Sequence, residues 1–295
     1  MFYFSVTKNG KPLDPIKYTW DEKTKTFSSV ENELVLNFSK INGVTFKTGS
    51  DCTFDTGSNC TFDTGYSCTF NTSYGCIFKT GSCCTFNTGY SCTFKTGSKC
   101  EFDTGLCCTF NTGYGCTFNT GSKCEFDTGY SCTFKTGYSC TFKTSSNCTF
   151  DTGYSCTFKT GYSCTFKTGS CCTFNTSYGC TFNTGYSCTF KTGSKCEFDT
   201  GYSCTFNTSY GCTFDTSLNC TFDTGYSCTF KTDLNCVIIR RDIFEIIQPE
   251  PNKTLKLNKH NIEGYKYLES HTIMIDGKEI KLSEESFNKL KKELC

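Results

Sequence analysis

The chain has 295 residues, 29 basic and 28 acidic, so its charges nearly cancel and give no electrostatic case for nucleic acid or an anionic membrane as a partner. Cysteine is the outlier at 28 residues, a density associated with disulfide scaffolds. No apolar run reaches the roughly 18–20 residues that span a bilayer, and MFYFSVTKNGKPLDP does not read as a Sec signal, lacking a basic head and long apolar core.

Residues 1–43 read as an N-terminal β cap. Asn9-Gly10 suggests a hairpin turn, Trp20 follows, and Leu36–Gly43 has the form of a degraded eight-residue unit in register with what comes next.

From Val44 to Asn235 the chain divides into 24 octads. Numbering their positions 0 to 7, position 0 is Val44 and then Cys from Cys52 to Cys228. Position 2 is always Phe, position 4 always Thr, and position 3 only Lys, Asp or Asn. Position 1 is Thr except at Ile77, Glu101, Glu125 and Glu197. The alternation makes Cys-Thr-Phe-x-Thr a short strand, with Cys, Phe and Thr on a buried face and polar residues on a wet one. Identical strands at so short a period predict an all-β, parallel β-solenoid. The expected core ladder runs through Cys52, Phe54 and Thr56, then Cys140, Phe142 and Thr144, to Cys228, Phe230 and Thr232.

Volume decides the coil size. One octad per coil gives a loop about 8 Å across, whereas facing sheets need about 10 Å for interlocking side chains. Two octads per coil are therefore expected, with Phe opposite Phe and Cys opposite Thr. That gives about 12 coils and a rod on the order of 58 Å. One octad per coil is the alternative, and alternating position-3 charges favour it weakly.

Each turn is expected to hold a residue at positive φ, either Gly at position 5 or Gly or Asn at position 7. Tyr at position 6 goes with Ser or Gly at position 7, whereas Ser goes with Asp, Asn, Lys or Cys. A slot shared between stacked turns explains that rule, and so does copying of a few cassettes. The Thr hydroxyls at position 4 are expected to bond along their own ladder or to turn backbone.

The position-0 cysteines read as small buried thiols, Val44 filling the same place, with a disulfide ladder as the alternative. Cys83, Cys107 and Cys171, at position 7, and Cys295 are the candidate reactive or cross-linking thiols. Zinc is not expected, because the cysteines lack paired close spacing and His260 and His271 lie outside the array. No cofactor or catalytic residue is assigned. The acid pairs Glu101/Asp103, Glu125/Asp127 and Glu197/Asp199 read as solvated charge.

Residues 236–251 read as a C-terminal cap coil. Cys236-Val237-Ile238 keep register, Phe244 and Ile246 fall at positions 0 and 2, and Pro249 and Pro251 end the array. Arg240 and Arg241 read as solvated charge there, or as a contact for an acidic partner. In residues 252–295, two alternating segments around Asp276-Gly277 predict a hairpin. Ser283 suits an N-cap for a helix carrying Phe287, Leu290 and Leu294 on one face. This small module is a candidate for attachment or oligomerisation.

With FKTGSDCTFDTG at 46–57, VIIRRDIFEII at 237–247 and IDGKEIKLSEESFNKLKKEL at 275–294, the chain resembles uncharacterised octapeptide-repeat proteins of phages and large DNA viruses. The likeness covers 44–247 and 268–294. It implies a viral origin and a solenoid, hence the host cytoplasm or the virion as location, and it carries no established activity.

The expected function is structural and not enzymatic: a rigid spacer, fibre or assembly and adhesion component. Its partner would be an unknown protein, met through the caps or the C-terminal helix, without membrane insertion or nucleic acid. Ice or surface binding through the position-1 Thr ladder is one alternative, and carbohydrate binding or polysaccharide processing along the solenoid is another.

Overall fold

The structure is a computed structural model that describes residues 4–268, 270–275 and 278–294. The chain forms two compact units, Met1–Ser177 and Tyr178–Cys295.

In the first unit every octad contributes one strand of three or four residues, and each strand pairs in parallel with the strand sixteen residues away. Thr117 lies beside Thr133, Phe118 beside Phe134 and Asn119 beside Lys135. In the facing sheet Glu125 lies beside Thr141 and Phe126 beside Phe142. Two octads therefore make one coil, as the volume argument requires. Turns are bonded from coil to coil as well. Ser131 donates its N–H to the Ser146 carbonyl, and Gly105 donates to the Gly89 carbonyl. Strands and turns alike thus satisfy backbone groups against the neighbouring coils.

Phenylalanine fills the interior. Phe134 stacks on Phe118 and Phe150 with centroids 4.8 Å apart and planes within 3°. It meets Phe126 and Phe142 of the facing sheet edge-on, at 5.2 and 5.3 Å. Each ring therefore makes both of the arrangements that aromatic quadrupoles favour. Cys at position 0 and Phe at position 2 of the octads are almost completely buried, Cys52, Phe54, Cys140, Phe142, Cys228 and Phe230 among them. The second unit repeats the pattern: Phe206 stacks on Phe190 at 4.8 Å and meets Phe198 edge-on at 5.2 Å.

The turn rule needs correcting. Positive φ falls at position 7 in every octad whatever the residue, from Asp51 and Lys99 to Ser139, Asn147 and Gly211. Glycine at position 5 serves close approach. A Cβ on Gly105 would lie 3.0 Å from the Gly89 carbonyl carbon and from the Tyr90 nitrogen. Where Ser takes that position the coil-to-coil bond stretches. Ser145, Ser177 and Ser209 donate over 3.4 Å, against 3.1 Å for Gly113 and Gly129.

At the N-terminal end of the first unit, Leu34–Phe38 packs on the first full strand of its sheet, but two residues out of the expected register. Val35 pairs with Thr53 and Leu36 with Phe54, eighteen residues apart. The connection from Phe38 to Val44 is two residues longer than an octad turn. Because the shift is even, Leu34, Leu36 and Phe38 still face inward. Ser5–Lys8 then pairs antiparallel with Leu34–Phe38, and Thr19–Asp21 pairs antiparallel with Thr26–Ser28. Each sheet thus ends on an antiparallel strand, which breaks the parallel stacking pattern.

The second unit closes by the same device. Val237–Arg240 continues its sheet, after which the chain turns back and Glu245–Ile247 pairs antiparallel with it. Phe244 and Ile246 therefore do not occupy inward octad positions. They are 89% and 70% exposed, and Ile247 is the buried residue. Thr254–Leu257 caps the other sheet, antiparallel to Thr229–Lys231, and pairs in turn with Tyr265–Leu268. A hairpin, Ser270–Ile275 with Lys278–Ser283, leads directly into the helix Glu284–Leu294. Phe287 and Leu290 of that helix are half-buried. The expected Asp276-Gly277 turn and Cys295 lie outside the described residues.

Candidate functional site

The site candidates divide into an inner set, an outer set and the C-terminal cap. No disulfide joins the described cysteines. The Cys132 thiol donates to the Tyr130 carbonyl at 3.6 Å and the Gly113 carbonyl at 3.7 Å, bridging successive turns. Successive thiols of one column also contact each other. Sulfur-to-sulfur hydrogen bonding pushes Cys68 and Cys100 up and pulls Cys84 and Cys116 down, alternating along the column. Burial raises every one of these thiols, and their sulfurs also donate to carbonyls of the preceding coil. At the column ends the bonds with Cys68 and Cys76 lower Cys52 and Cys60 to about 7, against the effect of burial.

Threonine at position 4 fulfils its expected bonding only in part. Thr136 reaches the Gly137 carbonyl over 3.4 Å, a long contact to turn backbone. Thr48, Thr56, Thr128 and Thr232 make no hydrogen bond to nitrogen or oxygen. Each instead lies against the thiol of the cysteine four residues on, a looser O–H···S contact that helps lower that thiol's pKa. Thr opposite Cys is the arrangement expected. A Thr144 bond to the Ser145 carbonyl, 3.4 Å long, follows the Thr136 pattern.

Cys83, Cys107 and Cys171 are exposed, each at positive φ in a turn. The structure does not bring them together. Cys83 follows a strand of one sheet, whereas Cys107 and Cys171 follow strands of the other. Each adjoins a buried cysteine in sequence, but Cα atoms of adjacent residues are about 3.8 Å apart, too close for relaxed disulfide geometry.

Outward, position 1 presents a Thr column beside the position-3 column of Lys, Asp and Asn. Lys143 pairs with Asp127 at 3.0 Å and Lys79 with Asp63 at 3.8 Å, both between coils. Asp103 accepts a bond from Asn119 at 3.2 Å, so the Glu101/Asp103 pair belongs to the same exposed polar surface. Position 6 carries a second outer feature, and here the shared-slot idea fails. Ser turns onto the stack, where the Ser122 hydroxyl accepts the Tyr138 N–H at 3.1 Å. Tyr turns outward and stacks on the Tyr of the next coil, as Tyr138 does on Tyr154 at 5.0 Å and 5°.

Arg240 is the largest correction. It is completely buried, not solvated. Its guanidinium pairs with Asp242 at 2.7 Å and donates to the carbonyls of Ile262, Gly264 and Lys259. Burial opposes the charge of Asp242, but hydrogen bonds from Arg240 and the Asn261 N–H outweigh it and hold the carboxyl below its ordinary range. The signal was legible: counted from Cys236, Arg240 stands at position 4, an inward place. Arg241 stays half-exposed and pairs with Asp223 at 3.0 Å.

Among the described residues no group of three or more His, Cys, Asp or Glu side chains converges to hold a metal ion. No described helix is long and apolar enough to cross a membrane. No protein-family model matches the chain, and searches of curated proteins and of solved structures return no significant match.

Proposed function

We propose that the protein is a non-catalytic scaffold of viral origin, whose octads set the length of each unit and so the spacing of protein partners docked on it. The observation that carries this reading is the repeat-invariant interior. Within each unit every coil adds one 4.8 Å step of stacked phenylalanine, and the terminal strands are closed by antiparallel partners. Such a stack resists bending because each ring is held by four others. The test is length. Removing Cys84–Asn147, which is four coils of the first unit, brings spin labels placed at Thr69 and Thr165, both outward on one sheet of that unit, about 19 Å closer together. An unchanged distance overturns the spacer reading. Location is tested separately: the protein is expected in purified virus particles of its source or in infected-cell cytoplasm.

A further inference from the structure

The outward tyrosines are not a continuous ladder. They occur as dyads, Tyr114 on Tyr130 at 5.0 Å and Tyr138 on Tyr154 at 5.0 Å, with planes within 5°. After these two dyads the next coil carries Ser146 or Ser170 where a third ring would stand, whereas Leu106 follows the Tyr74/Tyr90 dyad and Leu218 the Tyr186/Tyr202 dyad. The second ring of each pair is consequently the more open. Tyr130 is 51% exposed against 41% for Tyr114, and Tyr154 is 54% exposed against 39% for Tyr138. At Ser146 the stack is therefore interrupted by a gap one coil high, walled by a tyrosine face, and at Ser170 the face of Tyr154 is left open. At the first gap the Ser146 hydroxyl forms the floor, fixed by accepting the Tyr162 N–H at 3.1 Å, and the exposed Asn147 stands at the rim.

We infer that these gaps are binding sites for the pyranose ring of a saccharide, stacked on Tyr130 or Tyr154 as the missing layer. The electron-rich tyrosine face attracts C–H groups, which an all-equatorial pyranose presents on its flat side. The step of about 4.8 Å between coils suits one ring layer. Hydroxyl and amide groups at the floor and rim supply partners for sugar hydroxyls. The inference is independent of the scaffold reading.

Cellohexaose is the probe, titrated into the whole protein by calorimetry. The control is a variant in which the gaps at Ser146 and Ser170 are filled by turns the array already uses: Ser146→Tyr with Asn147→Gly, which gives Ser-Tyr-Gly, and Ser170→Tyr with Cys171→Ser, which gives Gly-Tyr-Ser. Because Ser73-Tyr74-Gly75 and Gly129-Tyr130-Ser131 have the same sequences in the same positions, the filled protein is expected to keep the wild-type β circular dichroism and melting. The expected result is cellohexaose binding by the wild type, with two fewer sites per chain in the filled variant. No binding at millimolar probe, an unchanged number of sites in a folded filled variant, or binding of indole without binding of cellohexaose would each overturn the inference.

Discussion

Arg240 occupies the place that Thr224 holds one coil earlier, the two residues lying side by side in a parallel pair. A cation has replaced a small hydroxyl on the inner face, and the cap supplies it with Asp242 and three carbonyls. Replacing it by Met leaves Asp242 without its guanidinium partner, with the Asn261 N–H still bonded to it. Breaking one side of a buried pair costs about 3–5 kcal/mol. Arg240→Met is therefore expected to lower the urea midpoint of the second unit's transition and to speed amide exchange in Thr254–Leu257. Unchanged exchange there would mean that the pair does not hold the cap.

The same pair makes the cap acid-sensitive. Asp242 is held below the ordinary carboxylate range, so the folded state binds fewer protons than the unfolded state as pH falls. Its contribution is complete above the unfolded value near pH 4 and is lost as pH drops through the lower folded value. Asp242→Asn is expected to flatten the acid limb of a melting-temperature profile below pH 4. An identical limb in both proteins would count against this account.

The inner column predicts a graded response. Phe134 touches four other rings, and truncation to Ala is expected to cost about 3–5 kcal/mol. Cys140→Val should be mild by comparison, because Val44 already fills the equivalent place with no exposure. Denaturant unfolding of the two variants measures the difference, and equal losses would contradict the packing described.

Thiol accessibility divides the cysteines sharply. Iodoacetamide under native conditions is expected to modify Cys83, Cys107 and Cys171 and to spare the ladder, with mass spectrometry locating the label. Ladder labelling at comparable rates would require the coils to open readily.

Position 7 carries a stability reserve. Ser139 sits at φ 55, where a side chain is strained and glycine is not. Ser139→Gly is expected to be neutral to stabilising by about 1 kcal/mol, whereas Gly137→Ala drives a Cβ into the Ser122 hydroxyl and to 3.0 Å from the Ser122 nitrogen, and destabilises. The two melting temperatures should move in opposite directions.

The repeat region was legible because its alternation has only one physical reading. Cys, Phe and Thr at even positions must share a face, and the bulk of Phe excludes the narrow coil. The caps were harder to read. Two extra residues between Phe38 and Val44 preserve the inward face and so leave no trace in the pattern. Phe244 and Ile246 mislead because a reversal at Arg241–Phe244 ends the parity that carried the count through Arg240. Position-5 glycine misled for another reason: sequence shows the need for a small residue, but not whether the cause is φ or a neighbouring coil. The aromatic gaps are written in the Ser and Tyr alternation at position 6. They become visible only once residues sixteen apart are known to be neighbours.

Sixteen-residue adjacency is the central claim, and pyrene excimer fluorescence reads it directly. In a background with Cys83, Cys107, Cys171 and Cys295 changed to Ser, outward cysteines are placed at Thr117 and Thr133, or at Thr117 and Glu125, and labelled with pyrene maleimide. The account predicts strong excimer emission from the Thr117/Thr133 pair, whose sites are adjacent on one face, and none from Thr117/Glu125, whose sites lie on opposite faces. Excimer emission from the eight-residue pair, or none from the sixteen-residue pair, would contradict the coil and the phenylalanine stack it encloses.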